Sequence, residues 1–138
     1  MSIGLRGVLS IEPACAADRF FSGAISLVDV RSDRERRAIR IPCATHIPLP
    51  QLRRRIDEIR TDRPVALVCR SGHRSALAAL IARRHGLDAM SVAGGTSAWL
   101  TAGQPAVWPR ELTLERQLHE PGKSRAAKGS SSGWRGRR

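Results

Sequence analysis

No stretch of these 138 residues approaches the ~18 consecutive apolar residues that a membrane-crossing helix needs. The amino terminus also lacks the apolar core of a secretory signal peptide. Cysteine is scarce. Cys15, Cys43 and Cys69 are too few and too scattered for a disulfide framework, and they lack metal-ligand spacing. These absences argue against a transmembrane helix, a disulfide-stapled secreted scaffold and a cysteine-built metal site. They fit a reducing, cytoplasmic setting. Acidic residues are the scarce charge, 12 against 24 basic ones, for a net charge of +12. The length suits one domain with a proper core.

The most informative segment is Val65-Ala66-Leu67-Val68-Cys69-Arg70-Ser71-Gly72-His73-Arg74-Ser75, continuing to Leu80. Val65 to Val68 is an uninterrupted apolar run, the pattern of a strand covered on both faces. Beyond Arg74, Leu77, Leu80 and Ile81 recur at helical spacing, and Gly86 stands where a helix would stop. Cys69 is therefore expected at the carboxyl end of a central strand, just before a helix. Open α/β sheets bind ligands at that edge.

The chemistry of such a loop follows from its backbone. A helix start leaves its first N–H groups without intrahelical acceptors. Turned inward over residues 70 to 75, they make an anion cradle that the helix dipole strengthens. A cysteine held there has its pKa lowered from about 8.5 into roughly the 3.5–7.5 range. Arg70 and Arg74 add positive charge, and Gly72 accepts positive φ without strain. The expected site is a nucleophilic sulfur facing an anionic substrate. The competing reading is an inert buried cysteine.

Around this segment the chain alternates. Strands are expected over Val8–Ile11, Ile25–Val30, Ala44–Ile47, Val65–Val68 and Met90–Ala93. Helices are expected from Pro13 to about Phe21, over Ser32–Ala38, along the Leu52–Ile56–Ile59 face, after the Cys69 loop, and around Trp99. The order implies an α/β fold, a mostly parallel sheet with helices on both faces. Trp99 is read as core, and Arg53-Arg54-Arg55 as solvated surface rather than a nucleic-acid contact. Residues 1–7 read as a loose lead-in. Residues 109–138 read as a basic, disordered tail, because Lys123, Arg125, Lys128, Arg135, Arg137 and Arg138 occur with no acid between 121 and 138.

Cys69-Arg70-Ser71-Gly72-His73-Arg74-Ser75 resembles the active-site loop of the rhodanese family, the single-domain thiosulfate sulfurtransferases. Leu27-Val28-Asp29-Val30-Arg31, with Glu35 and Ile41-Pro42, resembles the family's first signature. Ala93-Gly94-Gly95-Thr96-Ser97-Ala98-Trp99, with Ala102-Gly103-Gln104-Pro105, resembles its carboxyl-terminal one. The resemblance implies a rhodanese-like domain over residues 8–108. Cys69 would be the catalytic residue, carrying sulfur as a persulfide. Arg70, Ser71, Gly72, His73, Arg74 and Ser75 would hold the anion, with Asp29 and Arg31 bracing the loop. Taken alone, Asp29 reads equally as a helix cap and Arg31 as a solvated cation.

The implied partners are a small anionic sulfur donor such as thiosulfate and a cyanide, thiol or protein sulfur acceptor, with no metal or organic cofactor. Nucleic acid is disfavoured. The chain departs from the family at Ile39 and Cys43, which replace two glycines, and at Arg40, which replaces a histidine. Neither Ile39 nor Cys43 accepts positive φ cheaply. Cys43 is read as a small buried apolar residue, with a resolving thiol as the alternative. Leu112 to Leu118 weakly resembles the segment leading to a two-helix membrane anchor in some bacterial sulfurtransferases. No such helices follow, which leaves open a soluble relative and a truncated or frame-shifted gene.

Two rival functions stand beside sulfur transfer. One is a persulfide relay or binding module without turnover. The other is a phosphatase or arsenate reductase of the same general fold, whose loops close at C-x5-R. Here the spacing from Cys69 to Arg74 is C-x4-R, and Ser75 takes the next place. The shorter loop suits a sulfur atom better than a tetrahedral phosphate or arsenate.

Overall fold

A computed structural model of the chain describes residues 2–3 and 7–109. The expectations for the tail, beyond Pro109, lie outside the described residues. The chain divides into two units, residues 1–106 and 107–138, and the fold below is that of the first. In order its elements are β1 (Ser2–Ile3), β2 (Leu9–Ile11), α1 (Pro13–Phe21), β3 (Ser26–Asp29), α2 (Asp33–Ala38), β4 (Thr45–His46), β5 (Val65–Val68), α3 (His73–Arg84), β6 (Ala89–Val92) and α4 (Gly95–Thr101). The sheet order is β1-β2-β6-β5-β3-β4. Among the described residues only β1 is antiparallel, pairing Ser2 with Ser10 and Ile3 with Leu9. A strand therefore lies within the segment read as a loose lead-in.

β5 is the middle strand of the five parallel ones and is buried along its whole length. Its side chains alternate between two cores, as the period of two requires. Val65 and Leu67 join Val28, Ile47, Leu52, Ala78 and Ala82 on one face. Ala66 and Val68 join Ile11, Ala16, Leu27, Met90 and Trp99 on the other. Helices thus cover both faces, and the chain order of the strands reverses beside β5. Cys69 follows β5 at that point.

Local signals account for most helix ends. Pro13 opens α1, where its missing N–H costs nothing. Ser32 caps α2, accepting from Glu35 N at 3.2 Å while Glu35 Oε1 accepts from Ser32 N at 3.0 Å. α3 stops at His85, and Gly86 follows at φ 87°. Trp99 is fully buried, and its Nε1 donates to Pro105 O at 2.8 Å.

Two local expectations need correction. The helix expected along Leu52, Ile56 and Ile59 is instead a pair of 3-10 turns, Leu49–Gln51 and Ile56–Glu58. Leu52 and Ile59 are buried as expected. A spacing of three to four residues fits both kinds of helix, and Pro48 and Pro50 keep the first turns short. Arg53 and Arg54 are exposed, while Arg55 pairs with Glu58 at 2.8 Å.

The second correction is Cys43, which is exposed rather than buried. Among the described residues it is the one non-glycine with positive φ, 69°. Ala44 N donates to Ile41 O at 3.3 Å, so Pro42 and Cys43 are the central residues of a turn. Proline followed by positive φ is the form of a type II turn, which favours glycine at the second position. The turn thus keeps the shape a glycine would give it, at a strain cost of ~1–2 kcal/mol. Ile39 has extended backbone, φ −163°, and carries no such strain. Replacing Cys43 with Gly should stabilise the domain by about 0.5–1 kcal/mol, after the extra freedom of glycine in the unfolded chain is subtracted. A rise in the denaturant midpoint at unchanged slope would show it.

Candidate active site

The chain leaves β5 at Val68 and folds over Cys69 before entering α3. Gly72 permits the entry. Its φ of 106° is left-handed backbone at the helix N-cap. The Cys69 side chain is buried, 1 % exposed. Gly72 N donates to its Sγ at 3.1 Å and Ser75 N at 3.3 Å. The Ser75 hydroxyl lies 3.5 Å from the same sulfur.

The outer side of the loop explains why its N–H groups face inward. Thr96 N donates to Cys69 O at 2.7 Å, and Ser97 N to Arg70 O at 3.1 Å. In a planar trans peptide the N–H points opposite to the C=O. Tying these two carbonyls to the start of α4 therefore turns the N–H groups of Arg70 and Ser71 back toward the loop interior. Gly95 makes the approach possible. A Cβ there would stand 2.4 Å from Cys69 O and 2.5 Å from Arg70 C and O.

Burial opposes ionisation of Cys69, but the hydroxyl and N–H of Ser75 and the N–H groups of Gly72 and Ser71 outweigh it. The thiol pKa is held below its ordinary value, because each donor bonds the thiolate better than the thiol. The donors gathered on the sulfur come from Ser71, Gly72 and Ser75.

Asp29 and Arg31 are each 2 % exposed, so neither bland reading, a helix cap or a solvated cation, describes them. Arg31 Nε donates to Asp29 Oδ1 at 3.0 Å, and Nη2 to Oδ2 at 2.8 Å. Arg31 Nη2 also donates to Ile39 O at 2.7 Å, so the pair pins the end of α2 against β3. His46 Nε2 lies 2.7 Å from Arg31 O, a contact with no counterpart among the sequence motifs.

The sequence motifs also gave no sign of the pair that joins α2 to the loop. Arg74 Nη1 and Nη2 donate to Glu35 Oε1 and Oε2 at 2.7 and 2.8 Å. The Arg74 guanidinium holds the Glu35 carboxyl down at about 2. That value lies below the ordinary 4.5, so the pair stabilises the native domain above about pH 4.5. The contribution drains away as the pH falls toward about 2. Glu35→Gln should cost about 1 kcal/mol at pH 7, allowing for solvent screening, and flatten acid unfolding between pH 4.5 and 2. Urea melts of both proteins across that range would show the two curves converging at low pH.

Arg70 and His73 are exposed, and no ion pair holds Arg70 among the described residues. Ser71 Oγ lies 3.2 Å from His73 Nδ1. The loop therefore has a cationic side chain at its rim and a thiol at its floor. No cluster of three metal-ligating side chains occurs among the described residues, and no described helix is long and apolar enough to cross a membrane.

The profile of the Rhodanese-like domain matches residues 12–102. A protein of Bacillus subtilis named YqhL is 42 % identical over 74 residues, 53 % of this chain and 59 % of its own length. A sulfurtransferase of Allochromatium vinosum is 38 % identical over 86 residues, 62 % of this chain and 80 % of its own. Among solved structures, a rhodanese-related protein of Thermoplasma volcanium superposes with a TM-score of 0.67 at 30 % identity, covering 72 % of this chain and 97 % of its own.

Proposed function

The chain belongs to the rhodanese-like domain family, and on that footing we propose that it moves sulfane sulfur from thiosulfate or another persulfide donor to cyanide or a thiol, through a persulfide on Cys69. The observation that carries the proposal is the buried sulfur ringed by N–H donors, with its pKa lowered. In the first step the Cys69 thiolate attacks the outer sulfur of thiosulfate. A bond forms between the two sulfurs, the sulfur–sulfur bond of thiosulfate breaks, and its electron pair departs with sulfite. In the second step the acceptor attacks the outer persulfide sulfur, and the Cys69 thiolate leaves.

The loop N–H groups stabilise the charge on the persulfide, and Arg70 at the rim meets the anionic donor. Arg74 adds positive field beside the donor while its guanidinium is paired with Glu35. That engagement, together with the C-x4-R spacing, disfavours a phosphatase, which needs its arginine on the phosphoryl oxygens. Residues 8–108 would form the working domain. A reducing compartment such as the cytoplasm suits a persulfide-carrying thiol, and the described cysteines are all unpaired. The relay reading shares the first step and lacks multiple turnover.

Thiosulfate treatment followed by peptide mass analysis tests this. The Cys69 peptide should gain about 32 Da, one sulfur atom. Cyanide should then discharge it repeatedly, which separates an enzyme from a relay, while aryl phosphates should be hydrolysed negligibly. Sulfur found on Cys15 or Cys43 with Cys69 unmodified would refute the assignment.

A further inference from the structure

Ser91 stands out on β6 as a buried hydroxyl, 5 % exposed, in an otherwise apolar strand. Its Oγ lies 2.7 Å from Ser75 Oγ, at the short end of the hydroxyl range. Ser75 is itself fully buried, with Cys69 Sγ at 3.5 Å and Gly72 O at 3.3 Å. One hydroxyl proton is thus claimed by three neighbours. Gly72 O already accepts from Ala76 N at 3.1 Å. If Ser75 donated to Ser91, its oxygen lone pairs would face the sulfur and oppose a thiolate there. If Ser91 donates, the Ser75 proton is left for the sulfur, the stronger acceptor once ionised.

We propose that Ser91 is a positioning residue for the sulfur-transfer reaction, donating to Ser75 and thereby committing the Ser75 proton to Cys69. This rests on Cys69 being the nucleophile. When Cys69 is a thiol the chain reverses, since its S–H can donate to Ser75 and the Ser75 hydroxyl to Ser91. Two hydroxyl rotations and one departing proton connect the two states, and no atom moves far. Beyond Ser91 lies a cavity of about 150 Å³, lined also by Ser10, Ser71 and Ala76. Ser10 is the neighbour of Ser91 in the sheet. Ser91 therefore borders open space as well as the Ser75 hydroxyl.

The titratable and charged groups about the sulfur are Arg70 of the loop, His73 and Arg74 at the start of α3, Glu35 of α2 paired with Arg74, and the Asp29–Arg31 pair at and just after the end of β3. Neither β6 nor α4 carries any. A change at Ser91 therefore leaves every charged group in place. The experiment follows iodoacetamide alkylation of the Cys69 peptide against pH, by mass spectrometry on the full chain. Ser91→Ala removes the donor to Ser75 and leaves the Ser75 proton able to turn to Gly72 O, so the midpoint should move up by about half a unit to one unit. Ser91→Thr should restore the wild-type profile.

Should Ser91→Ala fail to fold, Ser91→Thr and Ser91→Val form a pair of equal shape that differs in the hydroxyl alone, and only the second should shift. In a Ser75→Ala background, Ser91→Ala should add nothing. An unshifted profile in Ser91→Ala or Ser91→Val, or a full further shift without the Ser75 hydroxyl, would overturn the proposal. Sulfur loading by thiosulfate is read separately. Its failure would refute the sulfurtransferase reading, whereas an unmoved alkylation profile with intact loading would refute the role of Ser91 alone.

Discussion

Replacing Cys69 with Ser should abolish sulfur transfer, lowering it by ~10³-fold or more to the uncatalysed background, while leaving the fold in place. Serine keeps the size of the side chain and offers an oxygen to the same N–H donors of Gly72 and Ser75. It cannot form a persulfide, and its hydroxyl is a far weaker acid than a thiol whose pKa this loop lowers. The melting temperature should change by no more than a few degrees, since one buried sulfur is exchanged for a slightly smaller polar atom already provided with partners. Cys15 and Cys43 remain as internal controls, and the mass gain on thiosulfate treatment should vanish with Cys69. Residual turnover above a tenth of wild type would place the sulfur-carrying atom elsewhere.

The route to Cys69 is legible in the sequence because it depends on neighbours along the chain. An apolar run, a polar loop and a helical repeat follow one another from Val65 to Ile81, and each announces its own structure. The distant constraints are less visible. Glu35 looks like one more charge on a solvated helix, and only the fold brings it to Arg74. Asp29 and Arg31 stand on the family resemblance alone, since a cap or a surface cation would be written with the same residues. Burial removes the surface-cation reading, and Arg31 donates to Glu35 O of α2 and to Ile39 O at its end.

Other features carry signals that reading by residue type passes over. Cys43 is apolar by type, but it follows Pro42, and the conformational demand of the turn outweighs the tendency of cysteine to be buried. Ser91 interrupts an apolar strand, and a hydroxyl in such a place needs a partner. Pro48 and Pro50 mark the segment before Leu52 as a poor start for a long helix. The contact of Ser2–Ile3 with β2 has no such signal, because two residues are too few to show a period.

Gly95→Ala should be the most damaging substitution that touches no reacting atom. The added methyl would lie 2.4 Å from Cys69 O and 2.5 Å from Arg70 C and O, all backbone atoms that no side-chain rotation can clear. Gly95 also sits at φ 61°, where alanine adds about 1–2 kcal/mol of strain. Ordinary contact requires roughly 1 Å more room, so either α4 retreats or the Cys69 loop is pushed inward. Retreat would break the Thr96 N–Cys69 O and Ser97 N–Arg70 O bonds, which turn the loop N–H groups toward the sulfur. Displacement of the loop would misplace the same donors. By either route transfer should fall by about 10²-fold, and stability by about 2–4 kcal/mol. The Cys69 thiol should also titrate at higher pH, because its donors no longer converge. Gly103, at φ 75° with nothing within 4 Å of the place an added methyl would take, is the matched control. Gly103→Ala should bear the backbone strain alone and keep full activity. Wild-type transfer and melting temperature in Gly95→Ala would show that the loop does not depend on its seat against α4.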